Sequence, residues 1–237
     1  MLKTWWEDIK RIPNIDTRWL LTWMIIYASF IILDLFFPFF YGTNLIKYIG
    51  IFLCIIYAYQ KYYSDTLLII ALFLTFLADT ILVWTDWAVL GVFIFCFAQF
   101  MHLMRHFKAK RRVIIAYAIG IAAIYFIIIW QGMEPIFAIG TIYGLMLFSN
   151  LAAAFRRYRT NPKILRARCG FYGFIAFVCC DLCVGLRFIM LHGIISARFL
   201  PLVAFLVWVF YYPSQVLIAN SSLKDPSHKL AKKSPLG

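Results

Sequence analysis

Charge is scarce in this chain. Only 14% of its 237 residues are Asp, Glu, Lys or Arg, while 64% are apolar and 19% aromatic, and a soluble domain cannot bury that much apolar surface around one core. The apolar runs lack period-two alternation, which excludes a transmembrane β-barrel and leaves an all-α polytopic helix bundle. No linker or low-complexity stretch interrupts them, so one transmembrane domain is expected. The first eight residues lack the apolar core and small-residue cleavage site of a signal peptide, so an uncleaved amino terminus is expected. Also missing are four cysteines or histidines at metal spacing. Cys180 and Cys183 form a CxxC around Asp181 without further soft ligands nearby, which reads as small packing residues; no metal and no cofactor is expected.

What is present is a series of apolar stretches near the bilayer-spanning length of roughly 17–25 residues. We read eight, at about 19–37, 44–59, 65–84, 88–107, 113–130, 135–155, 167–190 and 200–220. Threading them back and forth puts 20 of the 23 basic residues on one side, in the amino terminus, the loops after spans two, four and six, and the carboxyl terminus. That bias obeys the positive-inside rule and predicts both termini in the cytoplasm. It also accounts for the net charge of +13 without nucleic acid as a partner, since a basic membrane face meets anionic lipid head groups. Residues 1–18, with Trp5, Trp6, Ile9 and Ile12, are expected to form an interfacial segment, 19–220 the transmembrane domain, and 221–237 a disordered cytoplasmic tail. The expected location is a bacterial cell membrane. The oligomeric state is not legible.

Against this background two acids stand out. Asp79 and Asp181 lie inside spans three and seven, where a carboxylate costs from about 3 kcal/mol upward, so a functional role inside the bundle is the default hypothesis. Polar partners follow each. Gln99 and His102 share a face of span four, Tyr211 and Gln215 share a face of span eight, and Asn150 adds an amide in span six. If spans three, four, six, seven and eight pack together, these side chains line one polar cavity. The bland alternative is that each hydrogen bond merely ties two helices, at about 0.6–2 kcal/mol apiece; for Gln99 and Asn150 alone it is the stronger reading. Asp34 near the outer end of span one reads as an interfacial acid, His106 as an anchor beside Arg105, and Arg187 as a side chain that reaches outward or toward a lipid phosphate. At ~1.5 Å per residue, Asp79 and His102 are roughly 14 Å apart along the membrane normal, so no direct bond between them is expected. The order of acid-bearing span and polar span occurs twice, in spans three and four and again in seven and eight, a weak parallel repeat.

The motifs Phe76-Leu77-Ala78-Asp79-Thr80, Gly91-Val92-Phe93-Ile94-Phe95 with Gln99 to His102, Phe177-Val178-Cys179-Cys180-Asp181-Leu182, and above all Phe210-Tyr211-Tyr212-Pro213-Ser214-Gln215-Val216-Leu217-Ile218 resemble those of the YhhN-type lysoplasmalogenase family over about residues 65–220. Ala78 and Cys180 depart from that pattern, standing where the family has a glycine and a serine, and the tyrosine usual after the histidine is absent. The resemblance implies an eight-span hydrolase that cleaves the vinyl ether bond of a lysophospholipid substrate, releasing a fatty aldehyde and a glycerophospho-base.

The residue chemistry agrees. Enol ethers are cleaved by protonating the β-carbon and capturing the oxocarbenium ion with water, which needs a proton donor and a second group. Two carboxyls in different surroundings supply that pair, because burial in a low dielectric favours a carboxyl's neutral form. Asp79 and Asp181 are the expected catalytic acids, in either order; His102, Tyr211, Gln215, Gln99 and Asn150 are expected to hold substrate or water. Two alternatives stay open: a proton- or cation-coupled transporter, and a non-catalytic lipid-binding relative, for which Ala78 and Cys180 are the argument.

Overall fold

A computed structural model describes residues 16–37, 42–107, 111–132, 134–191, 193 and 195–223. The expected interfacial helix around Trp5 and the tail beyond residue 223 lie outside them. The described residues form eight α-helices: α1 Thr17–Phe36, α2 Gly42–Tyr62, α3 Thr66–Trp84, α4 Ala88–Phe107, α5 Arg111–Trp130, α6 Pro135–Thr160, α7 Leu165–Leu191 and α8 Leu200–Ala219, the last preceded by a 3-10 turn, Ala197–Phe199. α1 to α4 and α6 to α8 are each long and apolar enough to cross a membrane, and α5 contains a further apolar stretch, Tyr117–Trp130. Large apolar side chains such as Ile25, Phe126, Phe148 and Leu182 point outward, as expected where lipid rather than water is the solvent. The protein is an integral membrane helix bundle.

Without a hydrophobic drive between helices in lipid, close packing has to come from small residues. The two most extensive helix contacts are α3 with α4 and α7 with α8, the pairs of the sequence echo, and each closes on a glycine. A Cβ on Gly91 would overlap Leu82 of α3, and one on Gly173 would lie 3.1 Å from the backbone nitrogen of Ile218 in α8. Gly50 of α2 likewise makes room for the Tyr212 ring, which stacks on Tyr27 at 5.7 Å and meets Phe30 edge-on at 5.4 Å.

Pro213 sits inside α8 without ending it. Having no N–H, it leaves the carbonyl of Val209, four residues back, without its helical donor. The hydroxyl of Tyr27 donates to that carbonyl at 3.2 Å, so α1 repairs the gap. The same turn of α8 carries Tyr211 and Tyr212 into the core.

At the end of the bundle that carries the basic loops, some of the charge is buried. Asp65, just before α3, accepts from Arg105 at 3.2 Å, from the Ser222 hydroxyl at 3.0 Å and from the Leu223 N–H at 3.0 Å. Arg105 and Arg157 also donate to the Ser221 carbonyl at 3.1 and 3.0 Å, and Arg157 to that of Ser222 at 2.9 Å. The expected tail boundary at 221 is therefore corrected: Ser221 and Ser222 are buried, and the packed unit runs through Leu223 because this clamp satisfies its backbone. Burial alone would push the Asp65 carboxyl up, but the Arg105 guanidinium, the Leu223 N–H and the Ser222 hydroxyl hold it below the usual carboxylate range.

Candidate active site

Asp79 is buried, 9% exposed, on the inward face of α3. Its carboxylate accepts a hydrogen bond from the Tyr211 hydroxyl of α8, and its backbone carbonyl accepts one from Tyr48 of α2 at 2.7 Å. Asp181 of α7 is half-buried and accepts from the Tyr143 hydroxyl of α6 at 2.5 Å. Each acid thus has one tyrosine from a different helix.

Aromatic rings connect the pairs. Phe177 lies edge-on to Tyr211 at 5.8 Å, Phe95 packs against Tyr143 at 5.7 Å, and Phe95 and Phe177 meet at 6.3 Å. Beside them a cleft of about 570 Å³ runs between α4, α6 and α7, with Asp181 and Tyr143 in an otherwise largely apolar wall. Its rim includes Phe148 and Leu182, both more than half exposed on the face that lipid would cover.

The other expected residues form a separate layer, nearer the basic end of their helices. Asn150 donates to both the side-chain and backbone oxygens of Gln99 at 2.9 Å, a tie between α6 and α4. His102 is fully buried, edge-on to Phe174 at 5.4 Å, with its Nδ1 3.2 Å from Arg105. Gln215 is buried and reaches the Ser214 hydroxyl at 3.3 Å. Among the described residues, His102 Nε2, Gln99 Nε2, Asn150 Oδ1 and Gln215 Oε1 are buried without a hydrogen-bond partner, the kind of group that ordered water satisfies. So the structure joins Asp79 to Tyr211, and Gln99 to Asn150, and sets His102 beside Arg105.

Sequence reasoning missed Tyr143 and Tyr48, and it quoted Phe95 and Phe177 only as parts of motifs, without a role. A signal existed for Tyr143, which precedes Asn150 by two helical turns on one face. Tyr48 carries no such mark.

Comparison with known families adds one finding. A sequence model of the YhhN family matches residues 42–222. The chain belongs to the YhhN family. The matched region starts at Gly42, where α2 begins, and ends on Ser222, whose hydroxyl binds Asp65; it is wider than the span read from motifs and holds every expected site residue. No curated protein and no solved structure matches the chain. Two of the three departures noted above, Ala78 and Cys180, fall at packed positions. Ala78 is fully buried and Cys180 is 2% exposed, and both belong to the apolar core.

Proposed function

We propose that this YhhN protein is a lysoplasmalogenase-type hydrolase that cleaves the vinyl ether of a single-chain ether phospholipid within the bundle. The observation that carries the reading is the pair of acids within the helix bundle, each held by a tyrosine hydroxyl, with Asp181 lining a largely apolar cleft of about 570 Å³. Asp181, which lines the cleft, gives its proton to the vinyl carbon β to the ether oxygen. The resulting oxocarbenium ion is stabilised by the carboxylate that Asp181 becomes. Water adds to the carbon bonded to oxygen, and its proton passes to Asp79. The hemiacetal then expels the glycerol oxygen, which takes up that proton, while the hemiacetal hydroxyl returns its own proton to the Asp181 carboxylate, leaving a fatty aldehyde, a glycerophospho-base and both carboxyls as they began. The layer of Gln99, His102, Asn150 and Gln215 supplies the unpaired polar atoms that hold water on this path. Cys180 and Ala78 act as packing in this scheme, so their departure from the family pattern leaves the chemistry in place. The transporter alternative has less support, since α8 continues through Pro213 and no described helix is broken at depth in the matched position.

The test is aldehyde release from a lysoplasmalogen by purified protein in detergent, with Asp79→Asn and Asp181→Asn alongside and the folding of each checked by thermal melting. Each substitution is expected to lower turnover about 10²–10⁴-fold, the usual worth of a general acid or base. A folded wild type that releases no aldehyde, or variants that keep full activity, would overturn the assignment.

A further inference from the structure

Three basic residues stand apart from the basic end of the bundle: Lys47, Arg187 and Arg198. Two of them converge. A second cleft, of about 460 Å³, is walled by the outer ends of α1, α2, α3, α7 and α8, and Asp34, Asn44, Lys47 and Arg187 all line it. Lys47 is buried, 4% exposed, with its ammonium 2.6 Å from Asp34 and 4.9 Å from the centre of the Trp208 ring. Arg187 is exposed at the edge of this cleft, and the hydrogen bonds and ion pairs among the described residues do not include it. One carboxylate against two cations leaves the cleft with a formal surplus of one positive charge, and the arginine fork is free to grip a planar or tetrahedral oxyanion.

The position of this cleft matters as much as its charge. Leu82 and Val184 line both it and the apolar cleft that holds Asp181, so the two adjoin. Trp208, on its wall, lies edge-on to Tyr211 at 5.6 Å, and Tyr211 is the hydroxyl on Asp79. Along α7, Asp181, Val184 and Arg187 follow at steps of three, which sets the acid and the guanidinium carbon chain about 9 Å apart in helix rise. A glycerol backbone with a phosphate ester bridges that kind of gap.

We propose that this outer cleft is the head-group site, in which the phosphodiester of the lysophospholipid is bound by Arg187 and Lys47 while its alkenyl chain lies in the adjoining apolar cleft. The proposal rests on the hydrolase reading above. Asp34 aims the Lys47 ammonium, and the substrate enters with its head group at the end of the bundle opposite the basic loops. Recognition is of the phosphate, with the tail adding affinity; a soluble phosphodiester lacks the second contact.

The experiment measures binding rather than turnover, so that it stands independently of catalysis. Affinities of the purified protein in detergent are compared for 1-O-alkyl-lysophosphoethanolamine, which the proposed chemistry cannot cleave, for 1-O-alkylglycerol, which has the tail without phosphate, and for glycerophosphoethanolamine, which has the phosphate without a tail. Wild type is expected to bind the ether phospholipid about ten- to a hundredfold more tightly than the alkylglycerol, and Arg187→Gln to lose most of that preference. Because Arg187 is exposed and unpaired, this variant is expected to melt with the wild type, which removes misfolding as an explanation. Equal binding of phospholipid and alkylglycerol by the wild type, or an undiminished preference in Arg187→Gln, would overturn the head-group site. Glycerophosphoethanolamine binding as well as the lipid would also overturn it, since the ligand would then be a soluble phosphodiester. A wild type with the expected preference that nevertheless releases no aldehyde from a lysoplasmalogen leaves the head-group site standing and rejects the hydrolase reading alone.

Discussion

Replacing Tyr143 by phenylalanine removes one oxygen atom and little else. The ring keeps its 5.7 Å contact with Phe95, so packing is preserved, and the loss is the 2.5 Å hydrogen bond to Asp181. Two magnitudes follow. For stability, an interhelical hydrogen bond in a membrane protein averages about 0.6 kcal/mol and reaches about 1.7, so the melting temperature should fall only slightly. For catalysis, a hydrogen bond to a group that becomes charged is worth about 1.5–3 kcal/mol, which at about 1.4 kcal/mol per decade is roughly ten- to hundredfold in rate. The reason to expect the loss in kcat rather than KM is that the bond serves the acid whose charge changes as the proton leaves, and not the resting contact with the lipid tail. The assay is steady-state aldehyde release by wild type and Tyr143→Phe, with melting of each. A variant with unchanged kcat, or one in which KM alone rises, would show that Tyr143 is helix glue and that Asp181 needs no hydroxyl to act.

The buried clamp at the basic end gives a stability prediction with a pH signature. Asp65→Asn leaves Arg105 buried without its anion, a loss of about 3–5 kcal/mol, and melting in detergent at neutral pH should register it. The folded-state carboxyl is depressed, so its contribution is complete above the unfolded value and is lost as pH falls through the folded one. The difference in melting between wild type and Asp65→Asn should therefore shrink as pH drops below the ordinary carboxylate value of about 4; a difference that is constant with pH would rule the ionised clamp out. Tyr27 and Pro213 should be coupled in the same kind of measurement. Tyr27→Phe strands the Val209 carbonyl and should cost about 0.6–1.7 kcal/mol, but in a Pro213→Ala background the restored N–H occupies that carbonyl and the cost should nearly vanish. Equal costs in both backgrounds would break the link between the two residues.

Much of the fold is written in periodicity and length. Eight apolar stretches became eight helices, with ends displaced by a few residues: the second, read as 44–59, is Gly42–Tyr62. Helix packing was less legible. That α3 closes on α4 and α7 on α8 follows from Gly91 and Gly173, yet a Cβ added at Gly120 or Gly185 would meet nothing within 4 Å, and sequence alone does not separate the two kinds. The clamp was hidden for a different reason. Asp65 read as the start of a span and Arg105 as one of many basic loop residues, because a cluster of like charges conceals the one that is buried and paired across forty residues.

The acids were legible because a charge inside an apolar span has a cost that needs explaining, and the same rule extends further than the carboxylates. Lys47 lies in an otherwise apolar span just as Asp79 does, but it was absorbed into a positive total, where position rather than number carries the information. Once the basic end has claimed its residues, the remaining cations are few enough to ask of each what it is for. Two of the three line one cleft, one of them buried against Asp34. Asp181 and these two cations line adjoining clefts, one apolar and one charged. That division matches a molecule with one chain and one charged head. An ion pathway would instead carry its polar groups through to both ends, whereas here the basic end is closed by Asp65, Arg105 and Arg157 bound to the chain after α8.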